Sequence, residues 1–139
     1  MSDTTGKSVE QVVNEIFKTL CEQGEPCIQD KVCSFGNDKG QHCAVGFLLD
    51  EEVDDGIMQS KDSIMDLSRY YSLGVNRDFI IENERILLEC QCLHDADDLH
   101  KLITTSSDLG DMMGFTPISV SNWVLMRIKQ MTNTVGSNV

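Results

Sequence analysis

Cysteine and histidine are the residues of this sequence best suited to chemistry, and they gather in two segments. A thiolate is a nucleophile and a metal ligand, and an imidazole is the usual general base near neutral pH. The first segment holds Cys27, Cys33, His42 and Cys43, and the second holds Cys90, Cys92, His94 and His100. Two chemistries are therefore open, which are nucleophilic catalysis and zinc binding.

Cys43 is the candidate nucleophile. We expect a helix to open at or just before it, and the free N–H groups and dipole of a helix start lower the pKa of a thiol. His94 followed by Asp95 would supply an imidazole with an orienting carboxylate, as in Cys-dependent hydrolases and transferases. His100, which lies close to two further aspartates, is an alternative base. The simpler interpretation of Cys43 is a small core residue at a tight turn.

A structural zinc site is the other chemistry that these residues allow. Zinc takes four ligands, usually as two short-spaced pairs. Cys90 and Cys92 are two positions apart, and such positions diverge on a helix. Ordinary buried thiols are the simpler interpretation, so we predict neither a metal nor a cofactor.

The distribution of charge points to a different kind of function. The chain carries 23 acidic and 11 basic residues, and 16 of the acidic but only 5 of the basic ones lie between Asp50 and Asp111. This field repels nucleic acid and attracts a basic protein surface, so we predict a basic protein partner and no direct nucleic-acid binding. The alternative is a set of solvated helix faces that keep the chain soluble. The candidate binding residues are Asp50, Glu51, Glu52, Asp54, Asp55, Asp95, Asp97 and Asp98.

The elements that must position these residues are mainly helices. Apolar residues at helical spacing follow a Ser8–Gln11 capping box, which predicts a helix over 9–23 that ends at Gly24. Further helices are predicted near 60–72 and 78–94. After them come an apolar stripe at 99–103, a short helical turn ending at Gly114, and a terminal helix from Pro117 to Met131.

The segment between the first two helices has a different pattern. Cys33 and Phe35 alternate with polar residues, and Gly36–Gly40 is a strong turn signal, so we predict a small β-hairpin. Residues 44–49 fit either a strand or a buried helix, and we favour the helix. The predicted fold class is therefore mainly α with a small β-hairpin (α+β), built as a single-domain, helical bundle-like core.

Nothing in the sequence divides the chain. We predict one domain over 1–139, with flexible ends at 1–7 and 132–139. No apolar run approaches the roughly 18 residues that span a bilayer. The N-terminus lacks the features of an export signal, so we expect a cytoplasmic location, no membrane contact and reduced thiols. The sequence gives no indication of the oligomeric state.

Methionines near the C-terminus allow a second kind of binding surface. Met112, Met113, Met126 and Met131 lie near Trp123 in the sequence. Thioether side chains adapt to many partners, although stripes of this kind are more often part of the core.

The run Gly40–Glu52, GQHCAVGFLLDEE, resembles a segment of small uncharacterised proteins encoded by bacteriophages and bacteria. Those proteins carry a Gly-x-x-Cys-Ala-(Ile/Val)-Gly core, and a later His-Asp element that is similar to Leu88–Asp95. The likeness covers about half of the chain, and the stretch between Asp95 and Trp123 is longer here. The resemblance implies a phage or mobile-element origin and carries no established activity. Small acidic phage proteins often modulate host machinery, so it also implies an inhibitor of a host enzyme or defence complex.

We therefore predict a non-enzymatic, acidic protein-binding factor. Its negatively charged surface would engage a basic surface of a host protein, in the manner of a nucleic-acid mimic. One alternative is a Cys-dependent hydrolase or transferase that uses Cys43 with His94 and Asp95. The other alternative is a small zinc-binding protein.

Overall fold

The computed structural model describes residues 4–29, 32–33, 43–44, 46–48 and 76–136. Within these ranges the chain forms the helices α1 (Val9–Gln23), α2 (Arg77–Glu82), α3 (Glu84–Asp95), α4 (Leu99–Met113) and α5 (Ile118–Gly136). It also forms one 3-10 turn, Gly46–Leu48, and two short strands, β1 (Ile28–Gln29) and β2 (Val32–Cys33). The strands pair antiparallel, with Ile28 opposite Cys33 and Gln29 opposite Val32.

The predicted α+β fold class is wrong, because the described residues are mainly helical. β1 and β2 have two residues each, which is too few to build a sheet with a buried face. They also pair across residues 30–31, ahead of the predicted turn at Gly36–Gly40, which lies outside the described residues. A glycine-rich turn signal marks where a chain can reverse, but it does not supply strands long enough to bury apolar surface.

Helix α1 follows directly from its local sequence, and the predicted bounds are confirmed. The Ser8 hydroxyl accepts the Gln11 backbone N–H at 3.2 Å, and the Gln11 side chain accepts the Ser8 N–H at 2.9 Å. At the other end Gly24 has φ +86°, a left-handed conformation that glycine adopts without strain. The buried side chains Val12, Val13, Ile16, Phe17 and Leu20 form one face of the helix.

The helix predicted over 78–94 is divided in two. Asn83 separates α2 from α3, and its side-chain amide donates to the Phe79 carbonyl at 3.0 Å. The Phe79 carbonyl also accepts the Asn83 backbone N–H at 3.0 Å, so Asn83 is both the C-cap of α2 and the N-cap of α3. The predicted interruption after this region is confirmed, since α3 ends at Asp95 and α4 begins at Leu99.

Helix α4 joins two segments that the sequence presented as separate. Its middle is rich in threonine and serine, which are weak helix formers. The Thr104 hydroxyl donates to the His100 carbonyl at 2.6 Å, and the Ser106 hydroxyl donates to the Ile103 carbonyl at 3.0 Å. These bonds leave both hydroxyls paired within the helix, which continues to Met113.

The core lies where α1, α3, α4 and α5 meet. Helix α1 packs against α5, α3 packs against α4, and α4 packs against α5. Trp123 is fully buried, and its ring meets Phe17 edge-on at a centroid distance of 6.2 Å. Trp123 is therefore part of the core, and Met113, Met126 and Met131 pack against that core half-buried.

The predicted single domain and flexible ends stay predictions. Near the start of the chain, the backbone N–H and hydroxyl of Thr4 both donate to the Asn76 side-chain oxygen, at 3.0 and 2.9 Å. Near its end, α5 continues to Gly136. None of the helices in the described ranges combines the length and apolar character needed to cross a membrane.

Candidate functional site

His94 lies in the last turn of α3 and is fully buried. Its Nε2 is 2.9 Å from the backbone nitrogen of Cys27, and its Nδ1 is 2.6 Å from Asp95 Oδ1. The Cys27 N–H can only donate, so Nε2 must present its lone pair. The ring proton then sits on Nδ1 and is donated to Asp95. The hydrogen bonds thus select the neutral Nδ1–H tautomer.

The ring of His94 also packs against the aromatic core. It is stacked on Trp123 with a centroid distance of 6.1 Å and an interplanar angle of 8°. Asp95, whose side chain is 41% exposed, accepts a second hydrogen bond from Gln91 at 3.1 Å. His94 therefore joins α3 to the segment that precedes β1 and to α5, and Asp95 holds its orientation.

The predicted pairing of His94 with Asp95 is present in the structure. In a Cys–His pair, however, the imidazole nitrogen that is not bonded to the carboxylate must accept the thiol proton. That nitrogen is Nε2, which already accepts the Cys27 N–H. The catalytic role of Cys43, His94 and Asp95 stays a prediction, and the occupied Nε2 argues against it.

Cys43 is fully buried at the start of the 3-10 turn. Its Sγ accepts the backbone N–H of Gly46 at 3.2 Å, in the way that a capping side chain does three residues ahead of a helical N–H. Gly46–Leu48 are thus helical, which is the option that we favoured for this part of the segment. The other residues of the predicted 44–49 helix are Ala44, which is in a turn, and residues 45 and 49, which lie outside the described residues.

Three other thiols are held in the protonated form by their surroundings. Burial raises the pKa of Cys90, and the charge of Glu89 adds to the effect. Burial also raises the pKa of Cys92 and of Cys21, and nearby carboxylates add to each. A raised pKa leaves less thiolate at neutral pH, so these cysteines are weak nucleophiles.

The geometry gives the zinc alternative no support in the described residues. Cys90 is buried and Cys92 is exposed, as the two-residue spacing on a helix predicts. Both ring nitrogens of His94 have partners, and His100 is exposed on α4. Within residues 4–29, 32–33, 43–44, 46–48 and 76–136, no three histidine, cysteine or acidic side chains form a group that could hold a metal. His42 lies outside these ranges.

The carboxylates predicted to bind a partner divide into two sets. Five of them lie outside the described residues: Asp50, Glu51, Glu52, Asp54 and Asp55. The other three have intramolecular partners. Asp95 orients His94, Asp97 pairs with Lys101 at 2.9 Å, and Asp98 accepts the Lys101 backbone N–H at 2.8 Å as the N-cap of α4. Asp97 remains 76% exposed and Asp98 53% exposed, so both can still contribute charge to the surface.

A broader acidic surface covers α2, α3 and α4. Residues 77–113 contain nine acidic and three basic side chains, whereas residues 118–136 contain Arg127, Lys129 and no acidic residue. Helix α5 is thus weakly basic and the three helices before it are strongly acidic. Partial burial, together with the charge of Asp108, raises the pKa of Glu89, so these two carboxylates of α3 and α4 repel each other.

Exposed apolar side chains lie among these acidic residues. Ile81 is 39% exposed, Met112 47%, Leu99 51% and Ile103 53%. Ile81 and Met112 border a cleft of about 510 Å³, which we call the α3/α4 groove. The groove is lined by Ile81, Glu82, Asn83, Glu84, Arg85, Ile86 and Met112.

Sequence reasoning missed this groove because it grouped Met112 with Trp123. The sequence feature that could have indicated the groove is the short connection between α3 and α4, which predicts an antiparallel pair of helices. On such a pair Ile86 and Glu89 share one face, and Asp108 and Met112 share another. That the two faces meet is a consequence of how the helices pack.

Comparison with known proteins gives no match to any family model, curated protein or solved structure. The function therefore has to be argued from the residues and their geometry. The resemblance to phage and bacterial proteins stays a prediction.

Proposed function

We propose that this protein is a non-enzymatic, acidic binding factor that engages a basic surface of a host protein through α2, α3 and α4. The observation that carries the proposal is the combination on these helices of an excess of carboxylates with half-exposed apolar side chains. Charge alone speeds the encounter of two proteins, and apolar contact is needed to hold them together.

Among the described helices, α2–α4 carry an excess of carboxylates and α5 does not. A basic partner is therefore attracted more strongly to α2–α4 than to α5 within a Debye length of about 8 Å at physiological salt. Exposed Leu99 and Ile103 of α4 follow Asp97 and the N-cap residue Asp98 in the chain. A partner that is basic but also carries aliphatic residues satisfies both features.

A host enzyme or defence complex that binds nucleic acid is the class of target we propose. Such proteins carry basic surfaces shaped for rows of phosphates, and a row of carboxylates competes for them. The resemblance to phage and bacterial proteins supports this class by analogy. The protein would then act in the cytoplasm of the host cell as an inhibitor.

The test is capture from a bacterial lysate on the immobilised chain. We expect one basic protein to be retained at about 50 mM salt and released at about 500 mM, because counterions screen the contact. A DNA duplex added at low salt should displace the captured protein, because both compete for the same basic surface. Retention that does not change with salt, or no specific retention at all, would refute the proposal.

Two double variants with the same change in net charge locate the contact. Asp78→Asn with Asp111→Asn removes two charges from the exposed surface of α2 and α4, and we expect capture to weaken about threefold or more. Glu10→Gln with Glu22→Gln removes two charges from α1 and serves as the matched control. Equal weakening by both pairs would mean that only the net charge matters.

A further inference from the structure

We infer that the α3/α4 groove is the seat of a basic amphipathic helix from the partner, with an aliphatic side chain between Ile86 and Met112 and lysines or arginines facing the acidic rim. This inference rests on the proposed function and assigns it a place and a partner chemistry. Three features carry it: the shape of the groove, its charge, and the contrast with two further clefts formed by the described residues.

The groove offers an apolar lining of the right size. Its volume of about 510 Å³ is enough for one or two aliphatic side chains. Ile86 is half-buried against the core, while Ile81 and Met112 are exposed at the edges. A flexible, unbranched methionine at the edge adapts to an incoming side chain, as methionines do in grooves that receive helices.

The charge around the groove favours a cationic occupant. Glu82 and Glu84 line it, against one lining cation, Arg85. One helical turn further along the same two faces, partial burial raises the pKa of Glu89, and the repelling charge of Asp108 adds to the effect. A lysine or arginine placed beside this pair would relieve the repulsion, so a basic ligand gains more here than at an isolated carboxylate.

Two further clefts formed by the described residues lack this combination. The cleft between α1 and α5, of about 420 Å³, is lined by one acidic residue, Glu22, and one basic residue, Lys18. The cleft between α4 and α5 is lined by hydroxyl side chains with Val124 and Leu125, and has no charged lining residue. Leu125 of α5 lines this second cleft and is 58% exposed, so it is a matched control for Met112.

The experiment is a titration of the full chain with a synthetic peptide of about 18 residues, made only of leucine and lysine. In one peptide the leucines occupy one face of a helix, and in the control the same residues are scrambled. Binding is followed by amide chemical shifts at about 150 mM salt. We expect the largest shifts at Ile81, Ile86 and Met112, and weaker binding of the scrambled peptide. Equal binding of both peptides, or shifts centred on α5, would refute the proposal that the groove binds an amphipathic helix.

Variants separate the groove from general charge attraction. We expect Met112→Ala to weaken binding of the amphipathic peptide about fivefold, and Leu125→Ala to leave it unchanged. Glu89→Gln should weaken binding and at the same time raise Tm, because it removes a repelling charge from the free protein. Weaker binding with a lowered Tm would show only structural damage, and would count against a role for Glu89 in binding.

The lysate experiment distinguishes a failure of the groove proposal from a failure of the proposed function. If the wild type and the Met112→Ala variant capture the same host protein equally, the groove is not the contact site and the proposed function stands. If the wild type captures no host protein, the proposed function is wrong, whatever the peptide does.

Discussion

A histidine beside an aspartate is easily taken for half of a catalytic site, and the partners of His94 favour a structural role instead. Its carboxylate neighbour could be predicted, because the two residues are adjacent in the sequence. The donor that occupies Nε2 could not, since it is a backbone N–H 67 residues earlier in the chain. What decides between a base and a structural residue is therefore a tertiary contact.

His94 is expected to stabilise the fold through both ring nitrogens. We expect His94→Ala to lower the free energy of unfolding by about 3 kcal/mol, because it leaves a cavity against Trp123 and a buried Cys27 N–H without its acceptor. His100→Ala, on the exposed side of α4, should have little effect. Urea unfolding measures both, and ¹H–¹⁵N correlation should find the proton of His94 on Nδ1. A proton on Nε2 would contradict this hydrogen-bond assignment.

The thiols are expected to react slowly. With iodoacetamide near neutral pH, Cys92 should be modified before Cys90, because it is exposed whereas Cys90 is fully buried. Burial raises the pKa of both, so each should react more slowly in the folded chain than in urea. Peptide mapping of the labelled protein gives the order. Cys43 reacting faster in the folded chain than in urea would restore the enzyme hypothesis.

Buried Cys90 also predicts how stability depends on pH. An unperturbed thiol has a pKa of 9.0, and burial raises the pKa of Cys90 in the folded chain. Above about pH 9 the unfolded chain therefore releases a proton that the folded chain keeps, so stability should fall as pH rises. We expect the fall between about pH 8 and pH 10 to be smaller in Cys90→Ala than in the wild type. The same fall in both would assign the effect to other groups.

At the scale of the element, the beginning of a helix was easier to predict than its continuity. The capping box at Ser8 fixed α1, because all of its contacts are local. Helix α4 appeared as two pieces, because the sequence does not show that the hydroxyls of Thr104 and Ser106 bond within the helix. The α3/α4 groove was missed for a related reason, since it exists only where the helices α2, α3 and α4 meet.

Asp98 is expected to matter more to α4 than its neighbour. Its side chain accepts the Lys101 backbone N–H, so Asp98→Ala should lower the free energy of unfolding by about 1 kcal/mol. Asp97 makes an exposed ion pair with the Lys101 side chain, and Asp97→Ala should cost less. Both variants remove one charge, which makes them a matched pair in urea unfolding. Equal losses would show that charge near the start of α4 outweighs the cap.

For the whole molecule, the net charge of −12 sets a balance between folding and binding. The carboxylates that would attract a basic partner also repel one another in the free protein, as Glu89 and Asp108 show. Salt screens this repulsion. A protein specialised for binding through charge should therefore become more stable, and bind more weakly, as salt is added.

We expect the midpoint of urea unfolding to rise between about 10 and 200 mM salt, because the Debye length shortens over this range and the repulsion is screened. Lys129→Gln removes one of the two basic residues of α5 and makes the chain more negative, so its midpoint should rise more steeply with salt than that of the wild type. Asp111→Asn removes an acidic residue from α4, so its midpoint should rise less steeply. A midpoint that falls with salt in all three chains would mean that favourable ion pairs, such as that of Lys7 with Glu15, outweigh the repulsion among the acidic helices.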